Sequence, residues 1–348
     1  MDILGKGAYG QVVKHQNTAV KQYQRLPALI QEYVALTYLK DCKYIVKTLG
    51  VDYQKLTLTM ELYELNLRQW ISNECCCEKC INRIIYCVLR GIIELQDRSL
   101  SHSDLKPSNI LIRMEPFKLV LGDCGFVSRA NYSKQQRTAH SYRDIVIEND
   151  DKHDMFSLGV ILLELLYHIK PEVRNSYNEF QQLIKTHVTD KNHKTILSRL
   201  MNEDRTHRPD AREVMSLLFN KSPPVFTKPP CPHYQEIYDK IIVKYKKDNI
   251  ESYEQTLHDC WKHLDVNRGR MGLKGLFIYL LEKDREEKVL SFYLAATCII
   301  LSSTFGNHQP NLSELMIACK VDKKYKSKVM RCIRELTRCE EFVKAVFS

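Results

Sequence analysis

Residues 1–62 contain short runs in which apolar and β-branched side chains alternate with polar ones, a period typical of strands. The runs are VVKH (12–15), TAVKQY (18–23) and LTLTMEL (56–62). Before the third run, ALIQEYVALTYLK (28–40) has apolar residues at helical spacing and follows Pro27, which suits a first helical position. The pattern therefore predicts a small sheet with one helix.

From about residue 65 to 220 the apolar spacing is mostly helical, and KSPPVFTKPPCPH (221–233) then interrupts it with five of the eleven prolines. Proline lacks the N–H that regular structure needs, so we expect a linker over 223–235. Residues 236–348 are predicted to be helical throughout. They include a long apolar helix at 292–307, a helix capped by Asn311, and a later helix whose apolar face holds Val329, Cys332, Ile333 and Leu336.

Composition excludes some classes of protein. No apolar run reaches the roughly 20 residues that span a bilayer. The start, MDILGKGAYG, lacks the features of a signal peptide. We therefore expect no membrane contact. The formal net charge of +10 permits anionic partners without selecting one.

The chain has thirteen Cys, an odd number, and this favours a reducing compartment, the cytosol or the nucleus. One cluster, ECCCEKC (74–80), places Cys77 and Cys80 at the spacing of half a zinc site. The usual second pair of ligands does not follow. Zinc binding through Cys75–Cys80 and reduced loop cysteines both remain open, and the second alternative is favoured.

Gly5, Gly7 and Gly10 form the pattern G-x-G-x-x-G-x-V, which ends at Val12. Alone the pattern is weak, because it also marks dinucleotide-binding folds. In those folds a helix must follow, whereas here the predicted strand TAVKQY follows. The sequence therefore favours a strand–loop–strand hairpin that covers the phosphates of a nucleotide.

Lys21 lies on the next predicted strand and Glu32 lies on the predicted helix. A Lys at a strand end is usually only solvated. An ion pair with Glu32 would instead hold its ammonium group against the α- and β-phosphates of a nucleotide. Leu36, one turn after Glu32, is then expected to face the core.

The segment HSDLKPSN (102–109) is followed by a predicted hairpin (110–122) and by Asp123-Cys124-Gly125. Asp104 can accept the proton of a substrate hydroxyl, and Lys106 can neutralise a transferred phosphoryl group. Asn109 and Asp123 can bind Mg²⁺. Any single Asp is more often a helix cap or a turn residue, but the order and spacing of the whole set favour phosphoryl transfer.

Through these motifs, residues 1–222 resemble the eukaryotic protein kinase family. DMFSLG (154–159) and EDRTHRP (203–209) are similar to further motifs of the family, and Lys106 after Asp-Leu is its Ser/Thr form. The resemblance implies a bilobal α+β fold, with an N-lobe over about 1–62 and a C-lobe over about 63–222. It implies ATP and Mg²⁺ as ligands, with the glycines and Lys21 at the phosphates and an adenine pocket formed by Leu4, Val12, Ala19, Met60, Glu61, Tyr63 and Leu111.

Ser103 departs from the family, because most such loops have Arg at this position. That Arg receives a phosphate on the activation loop, and charge-assisted bonds then order the segment. Ser cannot do this. We therefore expect that phosphorylation of the loop, at Ser133 or Thr138 for example, is not needed for activity.

Two further departures concern the segments after Asp123. Cys124 replaces the family's Phe and is a smaller side chain. The fold can tolerate this change, because core packing depends more on side-chain volume than on residue identity. The family's A-P-E motif is not visible. Glu148 is a candidate for the Glu that pairs with Arg208, although its offset differs by about two residues.

Residues 236–348 resemble a cyclin box in the order of their helices, which would make this region an all-α cyclin-like bundle. Thr304 stands where that family has Lys, and Arg334 where it has Glu. Residues 26–51 are similar to the regulatory helix of cyclin-dependent kinases. The resemblance implies an intramolecular contact between the cyclin-like domain and the helix that carries Glu32. A compact kinase and a cyclin-like domain on the same chain resemble a viral fusion protein. If the protein is viral, its compartment would be the cytoplasm or nucleus of a host cell.

The sequence thus predicts a Ser/Thr protein kinase that acts on protein substrates and is regulated in cis by its helical domain. One alternative is a pseudokinase scaffold. Another is a kinase whose helical domain binds nucleic acid or a transcription partner, because residues 320–338 carry far more Lys and Arg than acids. A solvated helix face is the simpler interpretation of that stretch.

Overall fold

The computed structural model describes residues 3–7, 10–72, 78–129, 141–144, 151–170, 176–220, 287–305, 316, 321 and 323–347. These residues belong to two compact units. Unit 1 contains the N-terminal sheet, the helix between its strands and the helices after residue 286. Unit 2 contains residues 41–47 and the chain from Leu62 to 220.

Ten strands lie in the described part of the chain. Five form the sheet of unit 1: β1 (Ile3–Gly7), β2 (Gly10–His15), β3 (Thr18–Tyr23), β4 (Thr48–Asp52) and β5 (Thr57–Glu61). The other five lie in unit 2: β6 (Leu65–Asn66), β7 (Leu100–Ser101), β8 (Ile110–Arg113), β9 (Lys118–Leu121) and β10 (Ser128–Arg129).

The helices of the described residues follow the same division. Unit 1 has α1 (Leu26–Tyr38), α8 (Glu287–Phe305), α9 (Lys326–Arg338) and α10 (Glu340–Phe347). Unit 2 has α2 (Leu67–Ser72), α3 (Glu78–Gln96), α4 (Asp151–Tyr167), α5 (Tyr177–His187), α6 (Lys191–Leu200) and α7 (Ala211–Phe219). None of these helices is long and apolar enough to cross a membrane.

The sheet of unit 1 is antiparallel, in the order β1-β2-β3-β5-β4. The three predicted runs are found as β2, β3 and β5, and the predicted helix is α1. β4 was not predicted, because its sequence TLGVD includes a glycine and ends in an acid, both of which are uncommon in strands. Alternate residues of β3 and β5 are buried, as the alternating pattern requires.

The helices α8, α9 and α10, here called the C-terminal helices, pack on α1 within unit 1. The four predicted core residues of α9, Val329, Cys332, Ile333 and Leu336, are all buried. α8 buries small and branched side chains that include Ala295, Ala296, Ile299 and Ile300. A packed apolar face of this kind is the main source of helix stability in proteins.

Three side-chain pairs join the C-terminal helices to the N-terminal part of unit 1. The rings of Tyr38 and Phe347 stack with centroids 4.7 Å apart. Lys40 forms an exposed ion pair with Glu340. The hydroxyls of Tyr53 and Thr337 lie 2.5 Å apart in a buried position. The segment that carries Glu32 is thus flanked by residues from the far end of the chain.

Parts of the predicted helical domain lie outside the described residues. They include all of 236–286, Gly306-Asn307 and the Asn311 cap, and the predicted linker (223–235) lies outside the described residues as well. Three helices do not define a cyclin box, so that assignment stays a prediction. The Oγ1 of Thr304 donates to the carbonyl of Ile300, and Arg334 is half-buried.

The described part of unit 2 is mainly helical and contains two small antiparallel sheets. β6, β8 and β9 form one sheet, and β7 pairs with β10. The predicted hairpin at 110–122 is β8–β9. α4, which holds the apolar run LGVILLELLY (158–167), is buried along almost its whole length, as expected for a core helix. These elements place the ends of β7, β8 and β9 beside the loop 102–109.

Candidate functional site

Lys21 and Glu32 form a buried ion pair in unit 1. The Nζ of Lys21 lies 2.6 Å from Oε2 of Glu32, and the two residues are 8% and 1% exposed. β3 presents the Lys and α1 presents the Glu, as the sequence predicts. Leu36, one turn further along α1, is buried as expected.

Tyr23 is a third member of this group that the sequence did not reveal. Its hydroxyl donates to the same Oε2 of Glu32 at 2.5 Å, and the Lys21 ammonium lies 5.2 Å from the centre of its ring. Tyr23 follows Lys21 by two positions on β3, so both side chains point to the same face. The spacing of two positions on a predicted strand was the signal that could have placed Tyr23 beside Lys21. Glu32 is therefore positioned by two donors.

The glycine motif lies on the β1–β2 hairpin, as predicted. Gly5 and Gly7 are on β1, and Gly10 pairs with Gly7 at the start of β2. A Cβ at Gly10 would lie 1.8 Å from the carbonyl oxygen of Gln22, so only glycine fits there. Gly5 has open space around its Cβ position. Residues 8 and 9 lie outside the described residues.

The expected adenine-pocket residues are divided between the two units. Leu4, Val12, Ala19, Met60 and Glu61 lie on β1, β2, β3 and β5 of unit 1. Ala19 and Met60 are direct cross-strand partners and both are buried. In unit 2, Tyr63 is buried and Leu111 lies half-buried on β8.

Asp104 is the centre of a polar cluster in unit 2. It is 2% exposed, and its Oδ2 accepts from Nζ of Lys106 at 2.8 Å and from Nδ2 of Asn109 at 2.9 Å. The same Nδ2 donates to the backbone carbonyl of Asp104 at 2.8 Å. A carboxylate held by these donors keeps a fixed orientation, which suits a group that accepts a proton.

Asp123 follows β9 and adopts a left-handed backbone, with φ of 55°. The preceding Gly122 joins it to the loop of Asp104. The Gly122 N–H donates to the carbonyl of Asn109 at 2.8 Å, and the Gly122 carbonyl lies 3.0 Å from Nε2 of His102. Cys124 is fully buried after Asp123, as expected for a core filler. The structure thus brings Asp104, Asn109 and Asp123 to adjoining segments of one unit.

Ser103 is buried and has a positive φ of 64°. Asp154 at the start of α4 supports this turn, because its carboxylate accepts from the backbone N–H groups of His102 at 2.5 Å and of Ser103 at 2.9 Å. The first residue of the DMFSLG motif therefore fixes the backbone directly before Asp104.

Among the described residues, the acidic partner of Arg208 is Asp144; Glu148, the expected partner, lies outside them. Arg208 forms a buried bidentate pair with the Asp144 carboxylate, which also accepts from the Tyr177 hydroxyl at 2.5 Å. Burial opposes the charge of Asp144, but the pair with Arg208 outweighs it and holds the pKa of Asp144 below its usual value. Asp144 comes two positions after Tyr142 and is an acid one methylene shorter than the Glu that the family pattern requires. That difference in residue type is why the sequence pattern did not identify it.

Comparison with known proteins agrees with this geometry. The protein kinase domain family matches residues 1–223. The chain belongs to the protein kinase family.

Several kinases are similar to this one. It is 30% identical over 190 residues to a probable cyclin-dependent serine/threonine-protein kinase of Dictyostelium discoideum, covering 48% of this chain and 13% of that protein. It is 22% identical over 260 residues to the interferon-induced, double-stranded RNA-activated protein kinase of Rattus norvegicus, covering 62% and 50%. It is 27% identical over 250 residues to the membrane-associated tyrosine- and threonine-specific cdc2-inhibitory kinase of Drosophila melanogaster, covering 61% and 45%. The chain therefore spans half or less of the length of these relatives.

This kinase has a further ionic cluster, partly buried, that the sequence did not predict. Arg68 on α2 forms a bidentate pair with Glu164 on α4, and Tyr142 donates its hydroxyl to Glu164. Burial and the neighbouring carboxylate raise the pKa of Tyr142. The cluster ties residues 141–144 to the core of unit 2. A lone Glu in the apolar run of α4 was the signal that could have indicated a buried partner.

The cysteine cluster of the kinase is described only in part. Cys80 lies on α3 and is disulfide-bonded, in contrast to the reduced thiols that the sequence favours. Cys75, Cys76 and Cys77 lie outside the described residues. Within the described ranges, no group of three or more His, Cys, Asp or Glu side chains could hold a metal ion.

Proposed function

We propose that the chain transfers the γ-phosphoryl group of ATP to Ser or Thr hydroxyls of protein substrates. The observation that carries this proposal is the position of Asp104, whose buried carboxylate is oriented by Lys106 and Asn109. Membership of the protein kinase family supports it. The joint presence of Lys21, Glu32, Asp104, Asn109 and Asp123 supports an active enzyme over a pseudokinase.

In this reaction the substrate hydroxyl oxygen forms a bond to the γ-phosphorus as the bond to the β–γ bridging oxygen breaks. Asp104 accepts the hydroxyl proton, and Lys106 offsets the charge of the group in transfer. Lys21, held by Glu32 and Tyr23, orients the α- and β-phosphates. Gly5, Gly7 and Gly10 let the β1–β2 hairpin approach those phosphates closely.

The residues at the proposed metal site fit Mg²⁺, which prefers oxygen ligands. In Asn109 the amide nitrogen makes both hydrogen bonds to Asp104, so its amide oxygen is the atom left for a ligand. Asp123 adds a half-buried carboxylate. When bound, the ion neutralises phosphate charge. The expected adenine contacts are Leu4, Val12, Ala19, Met60, Glu61, Tyr63 and Leu111.

Substitution of Asp104 tests this proposal. Asp104→Asn keeps the shape of the side chain but removes the proton acceptor, so we expect phosphoryl transfer to fall by about 10²-fold or more. ATP affinity, measured by calorimetry with Mg²⁺, is expected to change little. Ser108→Ala, an exposed position on the same loop, is the control. Full activity of the Asn variant would refute the assignment of Asp104.

We also propose that the C-terminal helices regulate this activity in cis by supporting α1. The support comes from their packing on α1 and from the pairs Tyr38–Phe347 and Tyr53–Thr337. A helix that carries Glu32 can present it to Lys21 only while the helix itself is held in place. The C-terminal region would then act as a cyclin-like domain, as its sequence suggests, and would replace phosphorylation of the activation loop.

Point substitutions test this regulation better than truncation, which would expose the apolar face of α1. Phe347→Ala removes the ring that stacks on Tyr38, and we expect a drop in activity of about fivefold or more, with the fold retained. Arg331→Ala, exposed on α9, is the control. Activity of the Phe347 variant equal to wild type, with α10 shown by hydrogen exchange to be released, would contradict the proposal.

A further inference from the structure

Three buried serine hydroxyls lie together in unit 2, and one of them belongs to Ser103, the residue directly before Asp104. The Oγ atoms of Ser101 and Ser103 are 2.6 Å apart, and those of Ser103 and Ser128 are 3.5 Å apart. Their exposures are 0%, 1% and 0%. These residues, Ser101, Ser103 and Ser128, are here called the serine cluster.

The serine cluster joins two functional segments. Ser101 ends β7, directly before the loop of Asp104, and Ser128 begins β10, five positions after Asp123. The two residues are also partners in the antiparallel ladder of β7 and β10. The β7–β10 ladder therefore joins the chain after Asp123 to the start of the loop of Asp104, and the Ser103–Ser128 contact at 3.5 Å is a weak addition to it.

Ser103 needs such a support. Its φ of 64° lies in the left-handed region, which disfavours residues other than glycine. Such conformations persist only where the surrounding structure determines them. The backbone N–H of Ser103 is held by Asp154, and the side chain is held by the serine cluster. Asp104 is the next residue, so its position depends on this turn.

The cluster is uncharged. A segment that is ordered by a phosphorylated residue needs a cationic receptor, because the phosphate carries almost two negative charges. Ser103 cannot serve as one. The serine hydroxyls are neutral, so they can form hydrogen bonds with one another without a cationic receptor. In a buried site of low dielectric, such hydrogen bonds favour a single arrangement of the side chains.

We propose that Ser101, Ser103 and Ser128 are positioning residues, which hold the loop of Asp104 to the segment after Asp123 so that Asp104 is in place without a phosphorylated residue. This rests on the proposed kinase activity. It goes further by naming the contact that holds the loop of Asp104, while the C-terminal helices are proposed to support α1. We therefore expect the dephosphorylated chain to be active.

Ser103→Gly separates positioning from folding. Glycine adopts a positive φ without strain, so the melting temperature is expected to stay within a few degrees of wild type or to rise. The hydroxyl is lost nevertheless, and we expect kcat to fall by about fivefold to thirtyfold, the cost of one buried hydrogen bond, with KM for ATP within about twofold. A purely structural serine would show no drop in kcat in this variant.

The remaining arms use the full chain after phosphatase treatment, with the loss of phosphate checked by mass spectrometry. Ser128→Ala is expected to lower kcat less than Ser103→Gly does, because its hydroxyl lies 3.5 Å from that of Ser103, and Ser128→Thr, which keeps the hydroxyl, is expected to restore most of the loss. Ser108→Ala is the control on the same loop. The inference is overturned if Ser103→Gly keeps wild-type kcat, or if phosphatase treatment abolishes wild-type activity. If Asp104→Asn is fully active, the proposed function fails instead.

Discussion

The hydroxyl of Tyr53 lies 2.5 Å from the hydroxyl of Thr337, 284 positions later in the chain. Both side chains are buried, and Oγ1 of Thr337 also donates to the carbonyl of Ile333 at 2.8 Å. Thr337 therefore has no second proton to give, and Tyr53 is the donor of the pair. Burial raises the pKa of Tyr53, which keeps this donor protonated over the physiological range.

Removing one partner of this pair leaves a polar group buried without its hydrogen bond. We expect Thr337→Val and Tyr53→Phe each to lower the free energy of unfolding by about 1–2 kcal/mol. The double variant should lose less than the sum of the two, because it removes both polar groups. Urea unfolding of all four proteins gives the coupling energy. Additive losses would show that the two hydroxyls do not interact.

Because Tyr23 is a second donor to Glu32, we expect its substitution to lower activity less than substitution of Glu32 itself. Tyr23→Phe removes one of two donors to Glu32, and we expect a loss of about twofold to tenfold in kcat/KM for ATP. Glu32→Gln removes the charge that holds Lys21 and should cost considerably more. Steady-state kinetics at varied ATP concentration measure both. Gln22→Ala on the exposed side of β3 is the matched control. An equal loss in all three variants would contradict this order.

The pair Asp144–Arg208 predicts a pH-dependent contribution to stability. The pKa of Asp144 is lowered in the folded state, so its carboxylate stabilises the fold above the pKa of the unfolded chain, 3.8. The contribution is lost as pH falls below about 4 toward the folded pKa. We expect Asp144→Asn to cost several kcal/mol at about pH 7, since it leaves Arg208 buried without its counter-charge.

The Asp144→Asn variant also tests whether the contribution of Asp144 to stability is lost in acid. Denaturant unfolding between about pH 7 and pH 3 should show the difference from wild type shrinking in acid. Asp190→Asn, an exposed helix cap on α6, is the control and should have a much smaller effect. A difference that grows as pH falls would contradict the assigned pair.

Two buried thiols, Cys42 and Cys87, report whether the segments of unit 2 that carry them open in the native protein. Burial raises the pKa of Cys42 to about 12 and that of Cys87 to about 11, so both are protonated in a mildly alkaline buffer. Only the thiolate reacts with alkylating reagents. We expect neither residue to be labelled by iodoacetamide in the native protein and both to be labelled in urea, as read by peptide mass spectrometry. Fast native labelling would show that residues 41–47 or α3 open readily.

Much of the site was predictable because its residues act through local sequence patterns. The spacing of the glycines, Lys21 and Glu32 depends on one hairpin and one helix, and the loop at 102–109 places Asp104 near Lys106 and Asn109 within a few residues. The alternating pattern of TAVKQY and LTLTMEL correctly predicted the strands β3 and β5.

Other relationships depend on tertiary contacts that no local pattern contains. Asp144 reaches Arg208 only because α4 and α5 bring Phe156 and Tyr177 around the guanidinium group. Arg68 meets Glu164 through the packing of α2 near α4. The serine cluster could not be predicted, since serine is common on surfaces and its burial here follows from the pairing of β7 with β10.

The packing of the C-terminal helices on α1 also sets an order of assembly. Unit 1 is built from a first and a last part of this chain, whereas unit 2 is nearly continuous. During synthesis, the residues of unit 2 and its core helix α4 emerge before α9 and α10 exist. Long-range contacts such as Tyr53–Thr337 close large loops and form slowly. If the C-terminal helices support α1 as we propose, the loop of Asp104 is expected to form in a newly made chain before the helix carrying Glu32 has its support, and catalytic competence is expected to follow completion of the C-terminal helices.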